Sequence, residues 1–292
     1  MKILWMLFIC LLPLKGIAES SMRIYDLQCE YQSDPLGIDT ETPRFSWKLS
    51  DAAQTKGQRQ TAYQLLVSGS PSLLEQNQGD IWDSGPVTSD QSVLIAYKGK
   101  KLISNQVYYW KVRVFDKDNK ATAWSPAARF SMGLLSPSDW KGCWIKHPDA
   151  SPEQHIWFRK SFSLEQSAEN AFLHIASMGY HELYVNGRKV DDRVLAPALS
   201  RLDKRVLYVT YDIAKLLKAG KNTIAIWQGP GWARYNYFAN NIHPALRAQT
   251  DIRTKAGNSL SIQTDNSWKC AVSSSSNTGK YQYFDMGGEC VD

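Results

Sequence analysis

Cysteine is scarce, with five in 292 residues, and Cys10 falls inside the one long apolar run. The other four, Cys29, Cys143, Cys270 and Cys290, are too widely spaced for a zinc pattern or a dense disulfide scaffold, which leaves two bridges or buried free thiols equally open. Histidine is as sparse. His147, His155, His174, His181 and His243 form no i, i+4 pair on a helix, so their spacing offers no metal site, and no serine has an evident histidine and aspartate partner. A phosphate-binding loop is missing too, because Gly229-Pro230-Gly231 lacks the glycine spacing, the lysine and the following helix. Nor is charge of one sign concentrated: Lys98-Gly99-Lys100-Lys101 and the basic run at 201–205 are short and lack interleaved aromatics, which argues against a nucleic-acid partner.

Long apolar runs are confined to residues 3–14 (ILWMLFICLLPL). Lys2 precedes this run and Gly16-Ile17-Ala18 follows it, so residues 1–18 read as a secretory signal cleaved after Ala18. The run is too short to span a bilayer comfortably, Pro13 breaks it, and no later stretch approaches the ~18 apolar residues of a spanning helix. The expectation is an exported protein, periplasmic or extracellular, with no membrane contact after cleavage. Losing Lys2 and Lys15 lowers the formal charge from +6 to +4, a balance that favours solubility.

Aromatic residues are plentiful, with 11 Trp and 14 Tyr. Flat rings fill cores between sheets, and they also form platforms on which sugars stack. From residue 22 to about 133 the chain offers short alternating runs separated by turn residues, the pattern of an all-β sandwich. Phe45, Trp47 and Leu49 share one face of a strand, and residues 63–67 (YQLLV) repeat the alternation. In residues 108–114, Tyr108, Trp110, Val112 and Val114 face one way and Lys111 and Arg113 the other, toward water. Leu102, six residues before Tyr108, and the stretch 123–130 resemble the last strands of a fibronectin type III domain.

Residues 135–139 (LSPSD) break the alternation and mark a domain boundary. Strands resume at 155–164 and 171–176. Residues 182–185 and 188–190 flank Asn186-Gly187, a type I′ hairpin signal, since both residues tolerate positive φ. Another strand covers 205–210, Asp212 caps a short predicted helix over 213–218, and Gly220 ends it. Strands at 222–228, 245–254 and 259–263 complete a second sandwich of jelly-roll type. The predicted architecture is therefore all-β: a signal at 1–18, a fibronectin type III or immunoglobulin-like sandwich over 22–134, and a galactose-binding-like jelly roll over 135–292.

An ordered series of motifs runs through both halves: Trp82-Asp83-Ser84-Gly85, residues 108–112 (YYWKV), Trp124-Ser125, Gly133-Leu134-Leu135, Asp139-Trp140, Trp144-Ile145 and residues 182–187 (ELYVNG). Lys204-Arg205, residues 210–212 (TYD) and Gly229-Pro230-Gly231-Trp232 continue it. The series resembles the N-terminal portion of bacterial α-L-rhamnosidases of glycoside hydrolase family 78, although Pro230 replaces the usual asparagine. The resemblance implies hydrolysis of terminal α-L-rhamnosyl residues by inversion, with paired carboxylates in a helical barrel after the sandwiches. Inversion needs one acid and one base held ~6.5–9.5 Å apart. No catalytic residue is assigned within this chain, because Asp191, Asp192, Glu182, Asp116 and Asp118 read as solvated or capping carboxylates. The implied partners are a rhamnose-containing glycan and a downstream catalytic barrel. The alternative is a free-standing carbohydrate-binding or adhesion protein.

Residues 228–241 (QGPGWARYNYFANN) form a loop long for a compact sandwich and rich in groups that grip sugars. Trp232 and Tyr235 would stack on a ring, and Arg234 and Asn236 would hydrogen-bond hydroxyls. The other reading is that this loop packs against the barrel. The resemblance implies calcium at the sugar site of some members; the residues here specify no metal ligand and no other cofactor.

Overall fold

The computed structural model describes residues 20–234, 242–277 and 289–290, with the side chains of Trp232, Arg234, Asn277 and Glu289 left aside. The chain divides into two compact units. One holds residues up to Asp34, Thr42–Lys100 and Tyr108–Arg129, and the other holds Pro35–Glu41, Lys101–Val107 and everything from Phe130. Among the described residues no helix is long and apolar enough to cross a membrane.

The first unit is an immunoglobulin-like sandwich. Its strands are β1 (Met22–Cys29), β2 (Arg44–Asp51), β3 (Ala62–Ser68), β4 (Trp82–Asp83), β5 (Val87–Thr88), β6 (Ile95–Ala96), β7 (Val107–Phe115) and β8 (Ala128–Ser131), with a one-turn helix α1 (Pro71–Glu75). One sheet runs β1-β2-β6 and the other β4-β3-β7-β8, with β5 also on β3. The alternation predicted for residues 44–49 buries Phe45 and Trp47. Phe45 meets Trp110 at 4.6 Å between centroids, and Trp47 meets Tyr63 at 5.4 Å. The buried Trp47 indole N–H donates to Gln60 Oε1 at 3.1 Å, so its one polar atom is satisfied.

Two expectations fail here for the same reason. Every residue of β3 is buried, because it is flanked on both edges and covered on both faces, so its alternation does not separate core from water. The polar face of β7 is not wet either. Lys111 is buried, its ammonium donating to Asn77 Oδ1 at 2.6 Å and lying 5.1 Å from the Trp124 ring centre. The Arg113 guanidinium lies 4.8 Å from the same ring and donates to Gln64 Oε1. Trp124 roofs this face, and burial holds the Lys111 amine below its usual range.

The second unit is the jelly-roll sandwich. Its strands are β9 (Ile156–Leu164), β10 (Ala168–Met178), β11 (Tyr180–Val185), β12 (Arg188–Lys189), β13 (Tyr208–Asp212), β14 (Gly220–Gly229), β15 (Ala245–Thr254), β16 (Ser259–Gln263) and β17 (Lys269–Val272), followed by the β18 (Ser276–Asn277) and β19 (Glu289–Cys290) pair. Sheets β13-β10-β15-β16 and β12-β11-β14-β9-β17 face each other. Phe158, Leu183, Ile224 and Ile226 of the five-stranded sheet share one core with Leu173, Ile175, Leu246 and Ile252 of the other. The hairpin forms as predicted: Val185 pairs with Arg188 across Asn186 and Gly187, at φ 53° and 81°.

The predicted helix at 213–218 is instead one 3-10 turn, Ala214–Leu216, and Asp212 does no more than accept the Ala214 N–H. Asn222 stops it. Its side chain accepts from the Lys218 N–H and donates to the Lys218 and Gly220 carbonyls, folding the chain back so that Gly220, at φ 85°, opens β14. The strand expected at 205–210 starts later, at Tyr208. Two loops expected within the first sandwich cluster with this unit. A Cβ on Gly37 would stand 2.2 Å from Thr210 Oγ1, and Asn105 Oδ1 lies 3.2 Å from His174 Nε2.

Candidate functional site

The loop expected at 228–241 begins at the end of β14, and the described residues define its root. Gly179, at φ 116°, lets the chain turn into β11, where a Cβ would stand 2.3 Å from the Gly229 carbonyl oxygen. The Tyr180 ring then fills the space beside Gly229 and Gly231, which would place a Cβ 2.3 and 2.4 Å from it. Glycine at both positions is what lets the backbone lie flat on the ring. Beyond it, Gly231–Arg234 makes a 3-10 turn, and the Ala233 N–H donates to the Pro230 carbonyl at 2.9 Å. Trp232 and Arg234 thus sit on this turn by their backbone; their side chains, and all of Tyr235 and Asn236, lie outside the described residues.

Around the root the structure gathers aromatic groups that sequence reading did not connect. His155 stacks on Trp227 at 4.9 Å with 8° between planes, and its Nε2 lies 3.3 Å from the Tyr180 hydroxyl. The Trp227 indole N–H donates to Ser273 Oγ at 3.2 Å. Because β14 pairs Trp227 with both Glu182 on β11 and Trp157 on β9, these side chains form one row on the sheet face turned away from the core. Tyr184 lies 5.3 Å from Trp157, and both rings are half-buried. The Glu182 carboxylate accepts from the Tyr184 hydroxyl at 2.6 Å and pairs with Lys189. Burial first, and that carboxylate second, push the Tyr184 hydroxyl up to about 12. The face offers two adjacent rings with a carboxylate, an ammonium and the exposed Arg159 beside them, a mixture suited to stacking and hydrogen-bonding a polyhydroxylated ring.

On the core side of β11 lies a Ser–His–Tyr chain that sequence separation concealed. Ser177 Oγ is 2.8 Å from His181 Nδ1, and Tyr211 OH is 3.0 Å from Nε2. All three are buried, and burial together with the nearby Arg193 holds His181 down to about 3. A neutral, buried imidazole ties β10, β11 and β13 together through these bonds. His174, between Thr210 and Asn105, is likewise held at about 4 by burial. Two of the other candidate carboxylates, Asp116 and Asp191, are held as turn and surface groups. Asp116 accepts from the Asp118 and Lys120 amides at 2.9 Å each, and Asp191 pairs with Arg193 at 2.9 Å.

Among the described residues no three His, Cys, Asp or Glu side chains converge as a metal site would require. The calcium expectation thus finds no ligand set in the described part. Cys29, Cys143, Cys270 and Cys290 are free thiols. Two signals could have revealed the root: the Gly179-Tyr180 pair ahead of a strand, and glycines spaced two apart at 229 and 231.

Comparison with known proteins bears on both units. Residues 24–136 match the Rha78A-like N-terminal immunoglobulin domain, and residues 166–292 match the alpha-L-rhamnosidase N-terminal domain. An alpha-L-rhamnosidase of Formosa agariphila is 36% identical over 82% of this chain, and one of Alteromonas sp. (strain LOR) is 33% identical over 82%. The chain spans about a quarter of those relatives, 27% and 28%. Among solved structures, the alpha-L-rhamnosidase from Dictyoglumus thermophilum superposes with a TM-score of 0.83 at 36% identity, covering 90% of this chain and 31% of that one. The enzyme from Aspergillus terreus gives 0.74 at 29% identity, covering 88% and 30%. With both sandwiches matched in order, the chain belongs to the α-L-rhamnosidases of glycoside hydrolase family 78, as their N-terminal region.

Proposed function

We propose that this chain is the accessory, non-catalytic front of an exported α-L-rhamnosidase acting on rhamnose-containing glycans, with hydrolysis carried by a catalytic domain that succeeds it. The observation that carries this reading is that two matched N-terminal domains account for about a quarter of enzymes of this name. The state of the carboxylates supports it. Glycosidic hydrolysis needs two carboxyl groups facing one sugar-sized space, whereas Glu182, Asp191 and Asp116 each hold a neighbouring side chain or turn amide. Export rests on the apolar run at 3–14.

The test assays an aryl α-L-rhamnoside with the 292-residue chain and with the product of the whole reading frame. The first should release no phenol above buffer and the second should turn over. Release by the shorter chain that Glu182→Gln abolishes would overturn the assignment. Export is checked by fractionating cells and sequencing the mature N-terminus, expected at Glu19.

A second reading, carbohydrate binding by the second sandwich, is favoured by the half-buried Trp157 and Tyr184 on the solvent side of the five-stranded sheet, with Glu182 and Lys189 at their edge. The loop at 228–241 would add Trp232, Tyr235, Arg234 and Asn236. Calorimetric titration with L-rhamnose decides between the places. Loss of a saturable heat with Trp232→Ala puts the sugar on the loop, and loss with Trp157→Ala puts it on the sheet. No heat from a folded chain leaves the scaffold role alone.

A further inference from the structure

The first unit holds a groove between its two sheets. β6 ends the sheet β1-β2-β6, while β4 and β5 both pair with β3 along the edge of the other sheet. The groove between these edges has a volume of about 350 Å³, within the range of pockets that hold small molecules. The buried Tyr63 and Ile95 and the half-buried Trp82 and Leu94 line it, and the exposed Gln91 and Lys98 stand at its rim.

The polar groups here differ from those elsewhere in the same core. The Trp47 indole N–H donates to Gln60 and the Tyr97 hydroxyl donates to the Lys100 carbonyl, at 3.1 and 2.5 Å. Tyr63 is only 8% exposed, with its ring edge-on to Trp47, yet its hydroxyl has no hydrogen-bond partner among the described residues. The indole N–H of Trp82, which packs on Tyr97 at 5.3 Å, has none either. Buried hydroxyls and indoles ordinarily find a partner. Burial holds the Tyr63 hydroxyl above its usual range, so it stays a proton donor. Lys98 is the one charged group in the lining, and it makes no ion pair among the described residues. Gln91 commits its amide N–H to the Val93 carbonyl at 2.9 Å, which leaves Oε1 to accept. Leu94 sits at φ 56°, unfavourable for a branched side chain, with its N–H held by Ser46 Oγ at 2.9 Å. Backbone strain of this kind gathers at ligand clamps.

We propose that this groove binds an acidic sugar ring, a hexuronate, with its carboxylate toward Lys98, oxygens accepting from Tyr63 and Trp82, and a hydroxyl donating to Gln91. The lining selects that chemistry. Three donors, one of them an ammonium, with no carboxylate among the lining groups, call for an anion that carries further acceptors. The Gln91 carbonyl calls for a hydroxyl, which a simple aromatic acid lacks. The rings and aliphatic side chains suit the C–H face of a pyranose. The site lies wholly in the first unit, so it stands independently of the function proposed above and of the ring platform on the second sandwich.

The test titrates the 292-residue chain with methyl α-D-galacturonoside, the neutral methyl α-D-galactoside and benzoate, following the Trp82 indole N–H by nitrogen-15 NMR. The uronoside should shift that signal saturably, and the neutral sugar should bind about two- to fivefold more weakly at low salt, a gap that high salt closes. Lys98→Gln should weaken the uronoside by the same factor and leave the neutral sugar unchanged. Tyr63→Phe should weaken both sugars about two- to tenfold, the worth of one hydrogen bond. Neither substitution removes a bond within the sandwich, so both variants should keep the thermal midpoint of the unmodified chain. No saturable shift from a folded chain overturns the site. Equal binding of the two sugars overturns the role of Lys98 and with it the acidic ligand, and benzoate binding as tightly as the uronoside overturns the sugar.

Discussion

The Tyr180 ring occupies the space a Cβ on Gly231 would need, 2.4 Å from its Cδ1. That ring is also wedged against Trp227 at 5.8 Å and held near His155 by its hydroxyl, so it has no room to swing aside. Gly231→Ala must therefore displace packed aromatics, and an overpacked core site costs roughly 1–3 kcal/mol. Urea unfolding should show stability falling by that amount. Tyr180→Ala combined with Gly231→Ala should cost less than the sum of the two single changes, because the clash disappears with the ring.

Acid should unfold the second unit well before its carboxylates protonate. His181 and His174 are buried neutral, at about 3 and about 4, whereas in the unfolded chain each titrates near 6.5. Below pH 6.5 the unfolded state binds protons that the folded state refuses, so stability declines as pH falls from about 6.5 toward 4, and toward 3 for His181. Each tenfold difference in proton affinity between the two states is worth ~1.4 kcal/mol, which brings the loss to roughly 3–5 kcal/mol for each histidine. Denaturant midpoints measured between pH 7 and 4 should fall steeply, and His181→Gln should flatten the slope while lowering stability at pH 7 through loss of the Ser177 and Tyr211 bonds.

These two sites mark the boundary of what the sequence made legible. Strand positions, the Asn186-Gly187 hairpin and the two-sandwich order followed from local alternation and turn chemistry, which neighbouring residues specify. The His181 chain did not, because Tyr211 reaches it from 30 positions away and only sheet pairing brings the groups together. The helix expected at 213–218 failed on a side chain beyond its end, since Asn222 offers the turn a competing set of hydrogen bonds. At the candidate site, the aromatic content pointed to ring platforms, but Trp157 and Tyr184 become neighbours only through β14, which lies between their strands.

Glu182 and Tyr184 provide a spectroscopic check on the sheet face. The carboxylate beside the phenol raises its deprotonation to about 12 together with burial. Glu182→Gln keeps the shape and removes the charge, so the phenol should titrate closer to its ordinary value of about 10. Tyrosinate absorbance or the Tyr184 ring-carbon shift, followed from pH 9 to about 12.5, reports the change. An unchanged titration would mean that burial alone sets the value.

Trp124 carries the last prediction. Its ring covers Lys111 and Arg113 at 5.1 and 4.8 Å, and so makes a charged strand face compatible with burial. Trp124→Ala removes two cation–π contacts, each about 0.5–2 kcal/mol depending on how far it is desolvated, and lets water reach the Lys111 ammonium, which relieves part of its burial cost. The net loss should therefore fall short of the roughly 3–5 kcal/mol expected for a buried tryptophan. Lys111→Met, which keeps the aliphatic stem and discards the charge, should lower stability less than Trp124→Ala, because only the Asn77 bond and one ring contact go with it. Comparing the two variants with their combination by thermal unfolding gives the coupling energy, and a value near zero would mean that the ring shields the strand without attracting its charges.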